Sequence, residues 1–306
     1  MAEVVAALDC GSNSTRLLVA DRTHTLCREM RITRLSQGVD ASGYLAPEAL
    51  ERTYATLGEY RSLMDDHGVE RGLLVATSAV RDARNGEEFI SRAREIVGVE
   101  ARILSGDEEA NFSYAGATAD LARDERPVLV LDIGGGSSEL AVVIDGVMRS
   151  FSMQLGCVRV SERALGSGIV TPEADARTRK MVSDELDRAW SAVPEFEALT
   201  GRVQLIGLAG TVATLAQMDA GIVVYDRDVV HHRLLSRSCV EHWRDVLAAQ
   251  TSEERLRQPG MVAGREDVLT AGLYVLDAVM QRLGVNELLS SENDILDGIA
   301  LSLLAG

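Results

Sequence analysis

The 306-residue chain is poor in several residue types, and each shortage narrows what it can be. Its four cysteines, Cys10, Cys27, Cys157 and Cys239, are scattered, with no C-x-x-C pair and no histidine at zinc spacing. Reduced thiols and a cytoplasmic protein are the expectation. Two Trp, six Tyr and four Phe leave the cores to Ala, Val, Leu and Ile. No apolar run approaches the roughly 18–20 residues that span a bilayer, so no membrane association is expected. Met1-Ala2-Glu3 runs into a strand without a basic stretch, which argues against a signal peptide. Lys180 is the sole lysine, and 47 acidic residues against 31 basic ones give a net charge of −16, which excludes non-specific nucleic-acid binding. G-x-x-x-x-G-K-[ST] is missing too, so a P-loop nucleotide fold is not expected.

What is present centres on residues 128–143, V-L-V-L-D-I-G-G-G-S-S-E-L-A-V-V. Two short apolar runs of buried-strand length flank a glycine turn. Gly134, Gly135 and Gly136 can take positive φ and have no Cβ to hold a ligand away. Successive backbone N–H groups in such a turn form an anion-binding concavity, to which Ser137 and Ser138 add hydroxyls. Asp132 and Glu139 stand at the two ends, where carboxylates can hold Mg²⁺ against a phosphate. One such loop is equally well a plain tight hairpin. A second copy breaks the tie: Leu8, Asp9, Gly11, Ser14 and Leu17 align without a gap on Leu131, Asp132, Gly134, Ser137 and Leu140. Two phosphate-type hairpins, one in each half, imply a duplicated α/β fold with a cleft between the copies.

Other stretches fall around these hairpins. Val4–Leu8 and Arg16–Ala20 form the first strand pair, 35–45 reads as a loop, and Pro47 opens a helix. The apolar run 73–76 leads into Thr77, Ser78 and Arg81, phosphate-contact candidates because open α/β sheets bind ligands at such strand ends. Asn85 is expected to cap the helix 86–97. Ser105 and Glu108 fit an S-x-x-E capping box, and Glu109, about 100° further round, is not needed for it. On its own Glu109 reads either as a helix-start acid or as a catalytic one. Asp145-Gly146 is a two-residue hairpin turn. Gly210 and Thr211 follow the buried strand 203–208 at a helix start, a candidate anion site. His231 and His232 cannot share one face of a helix or strand, which favours surface or packing roles over a metal site.

The pair of hairpins resembles the acetate kinase, sugar kinase, Hsp70 and actin superfamily. Within it, D-C-G-S-N-S-T-R-L (9–17), A-T-S-A-V-R-D-A-R-N (76–85), S-G-D-E-E-A (105–110) and D-I-G-G-G-S-S-E-L (132–140) are similar, in this order, to the exopolyphosphatase/guanosine pentaphosphate phosphohydrolase family. The resemblance implies two actin-like, ribonuclease H-like α/β domains with an interdomain cleft. They would span 1–124, joined by the helix 293–306, and 125–292. It implies Glu109, the second Glu of its motif, as general base, and a homodimer. It also places Gly264 and Arg265 at the cleft. Asn111 stands where the family often has Arg, and Glu266 where it commonly has Ala. With the sequence ending soon after Leu304, the helical C-terminal extension of longer members is not expected.

The expected activity is release of terminal orthophosphate from inorganic polyphosphate, or from guanosine pentaphosphate. Phosphate would be held by Gly11, Ser12, Asn13, Ser14, Arg81, Gly134, Gly135, Gly136, Ser137, Ser138, Gly210 and Thr211. A divalent ion, Mg²⁺ by preference for hard oxygen, would sit on Asp132 and Glu139, with Asp9 a further ion contact or an orienting group. An acidic chain meets so dense an anion through arginines and the ion. Two rivals remain: a kinase-like, ATP-dependent phosphotransferase of the same superfamily, and a non-catalytic regulator binding guanosine penta- or tetraphosphate.

Overall fold

The computed structural model of the chain describes residues 3–122 and 126–305. The chain forms two compact units, Met1–Gly116 with Asp294–Gly306, and Ala117–Asn293. The boundary expected between 124 and 125 falls on residues 123–125, outside the described ones.

The first unit is built on five strands: β1 (Val5–Cys10), β2 (Ser14–Ala20), β3 (Thr25–Ile32), β4 (Arg71–Ala76) and β5 (Glu100–Ile103). Their order is β3-β2-β1-β4-β5. β1 pairs antiparallel with β2 and parallel with β4, and β4 runs parallel to β5. β1 is buried along its whole length, because helices cover both faces of the sheet. Ala6, Leu8 and Cys10 meet Leu57, Tyr60 and Phe89 on one face. Val5 and Ala7 meet Ile295, Leu296 and Ile299 of the last helix, Ile295–Ala305, on the other. Gly116 and Gly298 permit a close crossing there, since a Cβ on either would overlap the backbone of Asp294 or Phe112.

The second unit repeats the plan with β6 (Val128–Ile133), β7 (Ser138–Ile144), β8 (Val147–Met153), β9 (Gln204–Leu208), β10 (Leu234–Ser236) and β11 (Glu287–Ser290). The order β8-β7-β6-β9-β11 reproduces that of the first sheet, and β10 adds antiparallel to its edge. Asp145 and Gly146 turn β7 into β8, both at positive φ (51° and 75°), as a two-residue hairpin requires.

Some elements differ from the sequence reading. β3 and β10 carry no clear apolar run; β3 is an edge strand, half-exposed along its length. Asn85 stands at the N-cap position without capping. Its side chain instead accepts from the Leu45 N–H (2.9 Å) and donates to the Leu45 carbonyl (3.1 Å). His231 and His232 stack with ring centroids 3.8 Å apart. They lie in a turn where His232 has φ 57°, so the alternation of a helix or strand does not apply. All four cysteines are free, and among the described residues no helix is long and apolar enough to cross a membrane.

Candidate functional site

In the first unit the loop between β1 and β2 closes with the Gly11 N–H donating to the Ser14 carbonyl at 3.0 Å. Gly11 is not in the left-handed region. It serves close approach, since a Cβ would lie 3.1 Å from the Ser14 carbonyl oxygen. The Asn13 carbonyl accepts from the N–H groups of Thr33 (3.1 Å) and Arg34 (2.9 Å), which fixes the loop. Its side-chain Nδ2 is buried with no hydrogen-bond partner. A buried amide donor costs free energy unless something accepts from it, and a ligand oxygen would serve. The Ser12 hydroxyl is buried against that of Ser78, 3.2 Å away.

Asp9 is buried, and Arg16 reaches its Oδ2 through Nε (3.0 Å) and Nη2 (2.6 Å). Burial outweighs Arg16 and pushes the Asp9 carboxyl up from its ordinary 3.8. Arg16 also pairs with Asp294, at the head of the last helix.

The helix Gly106–Thr118 begins as its capping box predicts. The Glu108 N–H donates to the Ser105 hydroxyl (3.2 Å), and the Ser105 N–H donates to the Glu108 carboxylate (2.9 Å). That N–H, aided by Arg102, holds the Glu108 carboxyl below its ordinary 4.5. Glu109 turns inward. It is only 7% exposed, with Arg81 Nη1 3.3 Å from its Oε2. The same nitrogen donates to the Leu104 carbonyl at 2.7 Å, which anchors the guanidinium. The structure thus brings Arg81 and Glu109 together and leaves Glu108 on the cap.

In the second unit Asp132 and Glu139 are register partners across β6 and β7, and both are buried. Ser152 donates to Glu139 Oε1 at 2.6 Å. Gly134, like Gly11, is not at positive φ; a Cβ there would lie 3.1 Å from the Ser137 carbonyl oxygen. The loop is held through its carbonyls. Gly134 accepts from the Cys157 N–H (2.9 Å), Gly135 from Val158 (2.9 Å) and Arg159 (3.1 Å), and Gly136 from Gly156 (3.2 Å). Arg159 Nε also donates to the Gly136 carbonyl at 2.6 Å. Gly156 has to be glycine, because a Cβ would overlap Gly135 and Gly136. Ser138, expected to contact phosphate, is fully buried and donates to the Leu155 carbonyl (2.9 Å), so its hydroxyl hydrogen ties the loop down. Ser137 is buried as well.

The helix Ala209–Ala220 starts two residues earlier than expected, with Ala209 at φ 63°. That conformation costs an L-residue roughly 1–2 kcal/mol. It turns the chain so that Gly210 lies directly beneath the Arg265 guanidinium, where a Cβ would overlap it. A guanidinium over a helix N-terminus sets two positive potentials side by side, which suits an anion. Thr211 is buried behind it, against Gly272 and Cys157. Burial raises the Cys157 thiol despite Arg265, so it stays protonated. Arg159 and Arg16 drew no attention as site residues in the sequence. The one available signal was arginine standing for lysine throughout.

Two duplicated α/β units, each with a glycine hairpin that carries a buried aspartate at its base, define the fold. The chain belongs to the Ppx/GppA phosphatase family, whose model matches residues 16–305. It is 38% identical to Exopolyphosphatase 2 of Mycobacterium tuberculosis over 98% of each chain. Among solved structures, an exopolyphosphatase-like protein is 35% identical over 99% of both chains with a TM-score of 0.92. An exopolyphosphatase from Cytophaga hutchinsonii is 25% identical, covering 99% of this chain and 98% of its own, with a TM-score of 0.90.

Proposed function

We propose that the chain is a divalent-cation-dependent exopolyphosphatase, hydrolysing the terminal phosphoanhydride bond of inorganic polyphosphate to orthophosphate. The observation that carries this is the division of labour at Ser105–Glu109. One glutamate closes the cap, and the next is a buried carboxylate that the helix does not need, in contact with Arg81. A hydrolase, unlike a kinase, has to activate water, and a buried carboxylate outside the helix cap and beside a guanidinium suits a general base. Glu109 takes the proton of the attacking water, and Arg81 offers positive charge to the phosphoryl oxygens. Phosphoryl transfer is otherwise positioning and charge neutralisation, work suited to the backbone of a glycine loop.

The donor set of the second hairpin fits Mg²⁺. Asp132 and Glu139 are hard oxygen ligands facing each other at a phosphate loop. At the matching place in the first hairpin Arg16 already neutralises Asp9. Asp9 Oδ1 is buried without a hydrogen-bond partner, yet an ion there would face the adjacent guanidinium, so Asp9 is assigned the orienting role. Bound Mg²⁺ would neutralise charge on the transferred phosphoryl group.

The test is phosphate release from short and long polyphosphates, guanosine pentaphosphate and ATP, with and without Mg²⁺. Release from polyphosphate that needs Mg²⁺ and no acceptor is expected. Phosphate transfer from ATP to an acceptor, or binding without release, would overturn the assignment.

A further inference from the structure

The turn after the helix Arg227–Val230 holds a cluster outside the machinery described above. His231 Nε2 lies 2.9 Å from Asp120 Oδ2, and His232 Nε2 lies 3.7 Å from Asp120 Oδ1. The three ligand atoms are within 4.8 Å of one another. The tautomer of His231 is set by its other nitrogen, since Nδ1 accepts from the Glu292 N–H at 3.0 Å. Nε2 therefore carries the hydrogen and donates it to Asp120. His232 is different: its Nε2 is buried and has no hydrogen-bond partner.

The backbone points the same way. His232 has φ 57°, a region non-glycine residues seldom occupy and one that often marks functional strain. Its N–H is fixed to the Ser290 carbonyl at 2.8 Å, so the turn is anchored to the end of β11. The strain lays the second imidazole on the first and turns its Nε2 towards Asp120. A direct hydrogen bond does not form at 3.7 Å. Two metal bonds of about 2.1 Å at a tetrahedral angle separate their donors by about 3.4 Å, close to the gap observed. We propose that Asp120, His231 and His232 form a site for a divalent transition-metal ion, with His232 Nε2 and the Asp120 carboxylate as ligands. His231 is a positioning residue that holds the carboxylate through its N–H, as outer partners of metal ligands do. Imidazole with carboxylate selects Zn²⁺, Ni²⁺ or Cu²⁺ over Mg²⁺.

The experiment is a Cu²⁺ titration of the tag-free full chain at neutral pH with Mg²⁺ in excess, read by calorimetry and by electron paramagnetic resonance. One equivalent should bind saturably and show imidazole-nitrogen coupling. His232→Gly suits the strained turn better than histidine does, so its ion-free melting temperature should not fall, while the nitrogen signature disappears. Asp120→Ala should weaken binding likewise. His231→Phe keeps the stacked ring but loses the N–H, and should weaken binding about 10–100-fold. Wild-type protein without a saturable imidazole-coordinated ion, or a His232→Gly variant that binds as tightly as wild type, would overturn the proposal.

Discussion

Asp132 lies directly opposite Glu139 in the β6–β7 pair, at the register position that Asp9 and Arg16 occupy between β1 and β2. Directly opposed residues of an antiparallel pair share a face, and like charges placed so are destabilising. The first hairpin meets this rule with a salt bridge of 2.6 Å. The second sets two buried carboxylates on one face, the hard-oxygen donor type that Mg²⁺ takes. The duplication has thus diverged at this position in charge, with Arg16 standing where its copy has Glu139.

Removing the ion should therefore matter, and so should removing either acid. Excess chelator should abolish phosphate release. Asp132→Asn and Glu139→Gln should each lower kcat/KM at least about 100-fold, because a catalytic ion contributes several kcal/mol and each decade is 1.36. Gln at 139 can still accept from Ser152, so the ion-free fold should survive. The melting-temperature gain on adding Mg²⁺ should shrink in both variants. Wild-type activity in chelator would end the metal assignment.

Gly210 and Arg265 give a second test. A Cβ at Gly210 overlaps only the far end of a flexible side chain, so Gly210→Ala should cost little stability while it moves the guanidinium. KM for polyphosphate should rise by a similar factor in Gly210→Ala and in Arg265→Ala. The double variant should be no worse than Arg265→Ala, since coupled sites do not add. Steady-state kinetics on the three proteins checks this. Full additivity would show that Gly210 does not act through Arg265.

A third prediction concerns the network at the head of the last helix. Asp294 pairs with Arg16 and Arg28, and its Oδ1 caps the helix by accepting from the Leu296 N–H at 2.9 Å. Asp294→Ala should lower stability by about 2–3 kcal/mol, under the 3–5 of a fully buried pair, because Arg16 keeps Asp9 and Arg28 keeps Asp297. Asp294→Asn keeps the cap and should recover about 1 kcal/mol of that. Denaturant unfolding of both variants measures the difference.

The hairpins were legible in the sequence because their geometry is local: an apolar run, a glycine turn and a second run force strand–turn–strand. The capping box and the Asp145-Gly146 turn were legible for the same reason. What could not be read is what depends on distant parts of the chain. Ser138 looks like a phosphate donor until Leu155, 17 residues on, takes its hydrogen. Asn85 sits where a cap belongs, but Leu45, 40 residues earlier, binds both ends of its amide. Nothing local brings Arg265 to Gly210. Strand or helix alternation puts His231 and His232 on different faces and so disfavours a joint metal site, and a single residue at positive φ defeats that rule.

The last prediction separates Glu108 from Glu109, neighbours in sequence with different work. Glu108 receives the Ser105 N–H and pairs with Arg102, and its side chain is 43% exposed. Glu108→Gln should leave kcat unchanged and cost about 1 kcal/mol of stability or less. Its pH dependence has a definite sign. A carboxyl held below 4.5 in the folded state binds fewer protons there than in the unfolded chain. Its contribution is therefore fully present above pH 4.5 and is lost as pH falls through the depressed value. The melting-temperature gap between wild type and Glu108→Gln should accordingly close in acid. Glu109→Gln should do the reverse. The amide keeps the size of the side chain and can still accept from Arg81, so folding and substrate Kd should hold. It cannot take a proton from water, and loss of a general base costs about 10²–10⁴-fold in rate. That is roughly 2.7–5.4 kcal/mol of barrier at 1.36 per decade. The measurement is kcat and substrate Kd for both variants, with melting temperature as a folding control. A Glu109→Gln enzyme that keeps more than about a tenth of wild-type kcat falls short of the expected loss, and would leave Glu109 as no more than a helix-start acid beside Arg81.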